Sequence, residues 1–212
     1  MMRRIGQRRA GFTLVEILAV ILILGILMGF LVVNLTGTQE VVEAKNTRMF
    51  MSQLEVQITE YEAKNGDFPA STFPDNLADV PSTTNMGSEM LLIALFPASG
   101  KAQTQELDEA RLSNTDGDSS KAPLADFDGR EVFEVCDDWG NPIAYIHRRD
   151  YSKRFTYQTF DGKTGEPVDS VVQALKSGKT GNFYERSRFQ LISAGPDGVF
   201  GTDDDVCNFS RE

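Results

Sequence analysis

Gly11-Phe12-Thr13-Leu14-Val15-Glu16 decides how this chain is read, because it stands between an arginine cluster (Arg3, Arg4, Arg8, Arg9) and an apolar run that reaches Val33. From Phe12 to Val33 the only charged residue is Glu16. A lone carboxylate in hydrocarbon is costly even on lenient insertion scales, so something must compensate it. A secretory signal also opens with positive charge and an apolar stretch, but its cleavage site follows that stretch. Here the candidate site, Gly11, precedes it. A cut between Gly11 and Phe12 removes the arginines, leaves the apolar helix on the mature protein and creates an amine four residues from Glu16, a partner for the acid. The competing reading is an uncleaved signal anchor whose glutamate snorkels or is protonated.

Working outward, positive residues ahead of the run hold the N-terminus in the cytoplasm and send the rest of the chain across the membrane. Residues 12–33 are long enough to cross once, and no second run of that kind follows. The pattern beyond Val33 stays helical: Phe50, Leu54, Ile58 and Tyr61 form one apolar face, with Glu43, Lys45, Arg48, Glu55 and Glu60 on the wet faces. Asn65-Gly66 and then Pro69 stop it. A helix over both halves, 12–33 and 34–65, is about 80 Å long, more than a small domain covers, so half of it must pack on lipid or on other copies.

The remainder, 66–212, suits one head domain. Met90 to Phe96 is a short apolar burst closed by Pro97 and reads as a second helix on the first. Ser99 to Asp128 is polar and reads as an exposed insertion, loop 99–128. Within it, Asn114-Thr-Asp116-Gly-Asp118-Ser matches no complete calcium loop and holds a cation weakly at most. Strand signals follow around Val132–Val135, Ile143–Tyr145, Phe155–Tyr157 and Phe189–Leu191, giving a small antiparallel sheet whose apolar face covers the helix. The expected fold class is α+β: a long N-terminal helix packed on a small antiparallel β-sheet head. Ser177-Gly-Lys-Thr180 glances at a phosphate loop but has Gln173 where the upstream glycine belongs.

Charge narrows the function. The chain has 21 basic and 31 acidic residues, a net −10; without the leader's four arginines 17 face 31, or −14. So acidic a head argues against nucleic-acid binding and against docking on anionic lipid, and leaves solubility, repulsion between subunits or cation binding. Two cysteines, Cys136 and Cys207, fall in the exported part, where thiols oxidise, and are expected to pair; two separate buried thiols are the alternative. Two thiols and the single His147 make a poor metal set. No combination of nucleophile, base and orienter appears, so an enzyme is not expected.

The opening hexapeptide resembles the prepilin signature of type IV pilins and type II secretion pseudopilins. Tyr61 with Asn65-Gly66 and Phe68-Pro69, and the turn Asp138-Trp139-Gly140-Asn141-Pro142, are similar to the major-pseudopilin pattern, although Asp138 replaces the proline usual before the tryptophan. The resemblance implies that a prepilin peptidase cuts after Gly11, that Phe12 is N-methylated, and that Glu16 pairs with the N-terminus of a neighbouring subunit. It further implies a homopolymeric periplasmic filament serving protein secretion, with minor pseudopilins and an inner-membrane assembly platform as partners. The protein would then sit in the inner membrane by one helix, its head in the periplasm. Two other readings stay open: a type IV pilin for adhesion, motility or DNA uptake, and a membrane-anchored binding module.

The last motif is Ser193 to Val206, where Asp197, Asp203, Asp204 and Asp205 fall within nine residues among Gly195, Gly198 and Gly201. Crowded carboxylates without histidine or thiol favour a hard cation, calcium before magnesium, over zinc or copper. An acidic solvated turn is the plainer alternative. The segment looks like the calcium loop that closes the major-pseudopilin head. That resemblance makes Asp197 and one or two of Asp203, Asp204 and Asp205 the side-chain ligands of Ca2+, with carbonyls such as those of Ile192 and Thr202 completing the shell.

Overall fold

The computed structural model of the chain describes residues 12–75, 77, 82–99, 107–127 and 129–211, the side chains of 30–38 excepted. The expected leader, 1–11, with the cleavage residue Gly11, lies outside them, as do 100–106 and 128 of the expected insertion. The chain divides into two compact units, Met1–Val42 and Glu43–Glu212.

Helix α1 spans Leu14–Asn65, within two residues of the expected start and ending where Asn-Gly predicts. Gly66 takes a left-handed φ of 84°, and its N–H closes the last turn on the Glu62 carbonyl at 2.7 Å. In the first unit the large apolar residues from Phe12 to Met28 are all exposed. In the second, Phe50, Leu54 and Ile58 are buried as the period requires, joined by Met51, which the four-residue spacing skips.

Helix α2, Met86–Leu95, begins one turn before the apolar burst. Gly87 explains the close seat of that turn: a Cβ there would run into the Tyr145 carbonyl and the Tyr157 hydroxyl. Among the described residues seven strands follow: β1 Leu112–Ser113, β2 Glu134–Val135, β3 Ala144–His147, β4 Arg154–Phe160, β5 Pro167–Gln173, β6 Phe189–Ser193 and β7 Val206–Cys207. They form three antiparallel pieces, β1-β2, β3-β6-β7 and the hairpin β4-β5, rather than a single sheet.

The middle sheet is buried on both faces, so its strands lack the polar alternation of a half-exposed sheet. Ile143, Tyr145, Phe189, Leu191 and Val206 join α1 and α2 in one core. The alternate residues Ala144, Ile146, Ile192, Ala194 and Cys207 join the hairpin's Phe155, Tyr157 and Val172 in a second. Strand β5, which covers that second core, has no clear sequence signal: of its residues only Ser170 and Val172 are buried, while Val168 and Val171 face solvent. The aromatics after α1 have a packing role. Phe68 meets Phe189 edge-on with centroids 5.2 Å apart, and the Tyr145 hydroxyl donates to the Pro69 carbonyl at 2.6 Å.

Two expectations need correction. The 99–128 stretch is not wholly an exposed loop: β1 pairs with β2, and Ser120 is buried between the carbonyls of Ala122 and Arg130. Cys136 and Cys207 are both free, buried thiols. Cys207 is packed in the second core on β7, whereas Cys136 follows β2 and bridges to Pro142, so each thiol is taken up by its own packing. Burial raises both, Cys207 to about 12, and a thiol so far from ionising is a poor nucleophile for exchange.

Candidate functional site

At the N-terminal end, Thr13 and Glu16 form a reciprocal pair. The Thr13 N–H and hydroxyl both donate to Glu16 Oε2 at 2.8 Å, and the Glu16 N–H reaches Thr13 Oγ1 at 3.3 Å. This is a capping box: each side chain satisfies an amide that the first helical turn leaves without an intrahelical partner. The acid of the hexapeptide therefore has a partner inside its own chain, and the spacing Thr-x-x-Glu was a legible sign of it. Among the described residues no helix is long and apolar enough to cross a membrane. Residues 30–33, the end of the expected crossing, have no described side chains.

At the other end of the chain, the acidic loop is built by β6, β7 and the tip of the β4-β5 hairpin. Gly195, Gly198 and Gly201 all have positive φ. A Cβ at Gly198 would strike the Phe160 carbonyl, and one at Gly162 the Pro196 carbonyl, so hairpin and loop meet backbone to backbone. Gly162 N–H donates to the Asp197 carbonyl at 3.2 Å, and the Thr159 hydroxyl donates to the Gly198 carbonyl at 2.6 Å.

The loop's carboxylates are largely spoken for. Asp197 Oδ1 accepts from Val199 N–H (2.8 Å) and Asp204 Oδ2 from Asp197 N–H (3.3 Å), while the Thr202 hydroxyl donates to Asp204 Oδ1. Asp205 is buried; its Oδ2 accepts from Gly201 N–H at 2.9 Å and faces Arg211 Nη1 at 3.5 Å, but its Oδ1 has no partner. Burial is the main reason its carboxyl is raised to about 6. Asp203 offers its carbonyl rather than its side chain. Arg211 donates to the carbonyls of Thr202 (2.6 Å), Asp203 (2.7 Å) and Asp205 (3.2 Å). Ile192 is fully buried inside β6, laddered to Ala144 and Cys207. Sequence reading passed over Arg211, the one cation at this loop among the described residues.

Trp139 packs partly buried against the first core. The turn itself is held by Asp137, whose Oδ1 accepts from the N–H groups of Trp139 and Asn141, both at 2.9 Å. His147 is engaged at both ring nitrogens: Nδ1 accepts from Arg149 N–H at 3.1 Å and Nε2 faces Asp67 Oδ1 at 3.4 Å.

The long N-terminal helix, apolar on its exposed first part and built into the core of the head by its second, gives with the small antiparallel sheets an α+β, pilin-like arrangement. The model of the prokaryotic N-terminal methylation motif matches residues 6–32. The chain is similar to proteins named type II secretion system core protein G. It is 26% identical to that of Escherichia coli K12 over 208 residues, 97% of this chain and 94% of the relative. It is also 26% identical to that of Klebsiella michiganensis over 209 residues, 99% and 97% of the two chains. A shorter match, 36% over 66 residues, joins it to the core protein G of Pectobacterium carotovorum, 31% of this chain and 42% of the relative. No solved structure matches the chain.

Proposed function

We propose that this chain is the structural subunit of a periplasmic pseudopilus that drives protein secretion by the type II system. The observation that carries the proposal is the N-terminal helix, where a methylation motif opens a segment whose large apolar residues from Phe12 to Met28 are all exposed. Such a surface is stable only against lipid or against other helices. In this reading residues 12–33 hold the subunit in the inner membrane until assembly, with the head in the periplasm. Prepilin peptidase cuts after Gly11, and Phe12 becomes the methylated N-terminus. Copies then stack helix on helix on an assembly platform, beneath minor pseudopilins. The role is structural rather than enzymatic, in keeping with a histidine whose two nitrogens are both engaged.

Glu16 sets axial register in this mechanism. In the subunit its capping bonds run to Oε2 alone, and Oε1 takes no part in them. A neighbour's amine arriving at the carboxylate adds a charge partner without breaking the cap, so the register that brings the two together is favoured in a low-dielectric setting. The test uses two variants. Glu16→Ala loses cap and charge, whereas Glu16→Gln keeps the capping geometry and loses only the charge. Both are expected to be inserted and cleaved yet to form no filaments by electron microscopy. Normal filaments from Glu16→Gln would refute the charge-register mechanism, and normal filaments from both would remove Glu16 from assembly.

We also propose that Ca2+ binds loop 193–206 in competition with Arg211. Supporting it are an all-oxygen donor set and the partnerless buried Oδ1 of Asp205. Asp205, Asp204 and Asp197, with the Thr202 carbonyl, would hold the ion, and the Asp203 carbonyl is a further donor, whereas Ile192, laddered inside β6, is not placed to join them. The ion would supply the positive charge that Arg211 now brings to these oxygens. Asp205→Asn is expected to reduce the rise in melting temperature that calcium produces.

A further inference from the structure

Glu89, in the first turn of α2, Asp116 and Asp118, in the loop after β1, and Glu134, in β2, meet inside the head. Glu89 and Glu134 are wholly buried. One carboxylate oxygen from each of Glu89, Asp116 and Glu134 lies within 4.8 Å of the other two. Several of these groups are aimed by hydrogen bonds. Glu134 Oε1 accepts from Asn85 Nδ2 (3.1 Å) and its Oε2 from Thr115 N–H (2.7 Å). Asp118 Oδ2 accepts from Ser82 N–H (3.0 Å), and Asp116 Oδ1 faces Asp118 N–H at 3.3 Å. Asn85, left-handed at φ 59°, ties the cluster to the hairpin by accepting Gln158 N–H at 2.9 Å.

What these bonds leave over points inward. Both oxygens of Glu89, Oδ2 of Asp116 and Oδ1 of Asp118 are buried with no hydrogen-bond partner. Among the described residues no Lys, Arg or His forms an ion pair with any of the four acids. Buried like charges without donors or a counter-charge are strongly unfavourable. A fold that gathers such groups from three segments and orients them is organised for a positive charge. The donors are oxygens only, with neither imidazole nor thiolate, which selects a hard divalent ion.

We propose that Glu89, Asp116 and Glu134, with Asp118 beside them, bind a divalent cation of the calcium class, pinning the 114–118 loop to α2 and β2. This site is separate from loop 193–206 and does not rest on the filament reading. The test uses the full-length chain in detergent, stripped with EDTA and carrying Asp205→Asn to weaken the other loop, titrated with CaCl2 by calorimetry. One ion per chain is expected, and Glu89→Gln and Asp116→Asn should each weaken its uptake by at least about tenfold, the loss of one charged contact. Asp116 lies in a part-exposed loop, so its variant should fold even if the Glu89 variant does not. Absence of calcium uptake in the Asp205→Asn chain, or uptake unchanged by both further substitutions, would overturn the site.

Discussion

Two acidic regions of the head contrast sharply. Loop 193–206 crowds four aspartates into nine residues, yet Asp197 and Asp204 cap backbone N–H groups, Asp205 takes Gly201, and Arg211 lies across the carbonyls. The cluster of Glu89, Asp116, Asp118 and Glu134 has the same number of carboxylates but draws them from distant segments, and four of its oxygens meet no donor. Acidic density along the chain is therefore a poor guide to unmet charge. A tight glycine-rich turn lets carboxylates reach nearby amides, whereas acids carried on a helix and a strand have most of their neighbouring amides already committed.

The comparison can be broken by substitution. Glu89→Met is expected to have the largest effect on stability, raising the unfolding free energy in EDTA by about 1 to 4 kcal/mol, because a buried unpaired acid is exchanged for an apolar side chain of similar volume. Denaturant melts with and without calcium check it: the variant should also lose the calcium gain due to this site, and a loss of stability in EDTA would mean that the cluster is not a cost. Gly162→Ala should act on the other region alone, at about 1 to 3 kcal/mol, since its Cβ meets the Pro196 carbonyl. Calcium uptake at the buried cluster should not change. Arg211→Ala is expected to cost about 1 to 2 kcal/mol in EDTA, with calcium restoring more of the loss than in the parent. If calcium restores nothing, the guanidinium and the ion do not share these oxygens. Reducing agent should leave the melting temperature unchanged, as expected for two free thiols.

Legibility followed locality. Phe50, Leu54 and Ile58 announced the core face of α1 because a helix repeats its contacts every three or four residues. Met51 escapes that reading because it lies off the four-residue repeat of Phe50, Leu54 and Ile58, yet the head also covers its side of the helix. Strand β5 escaped because its cover of the second core depends on Ser170 and Val172, too few inward residues to make an apolar alternation. The acidic loop is legible as a site because its residues adjoin, whereas Arg211 stands six residues past Asp205, and only the folding-back of the chain end brings it onto the loop's carbonyls. For Glu16 the sequence posed the correct question, what compensates the acid, and Thr13 three residues before it was an available answer.

By itself the sequence determined the methylation motif, the order of apolar and amphipathic halves in α1, the stop at Asn65-Gly66 and the α+β class of the head. Each of these is written in neighbouring residues or in a short period. Only the tertiary structure decided that the middle sheet is covered on both faces, that Cys136 and Cys207 stay apart, and that Glu89 faces Asp116 and Glu134. Those outcomes depend on which distant segments pack together, and a buried carboxylate's surroundings belong to the packing rather than to the residues beside it in the chain.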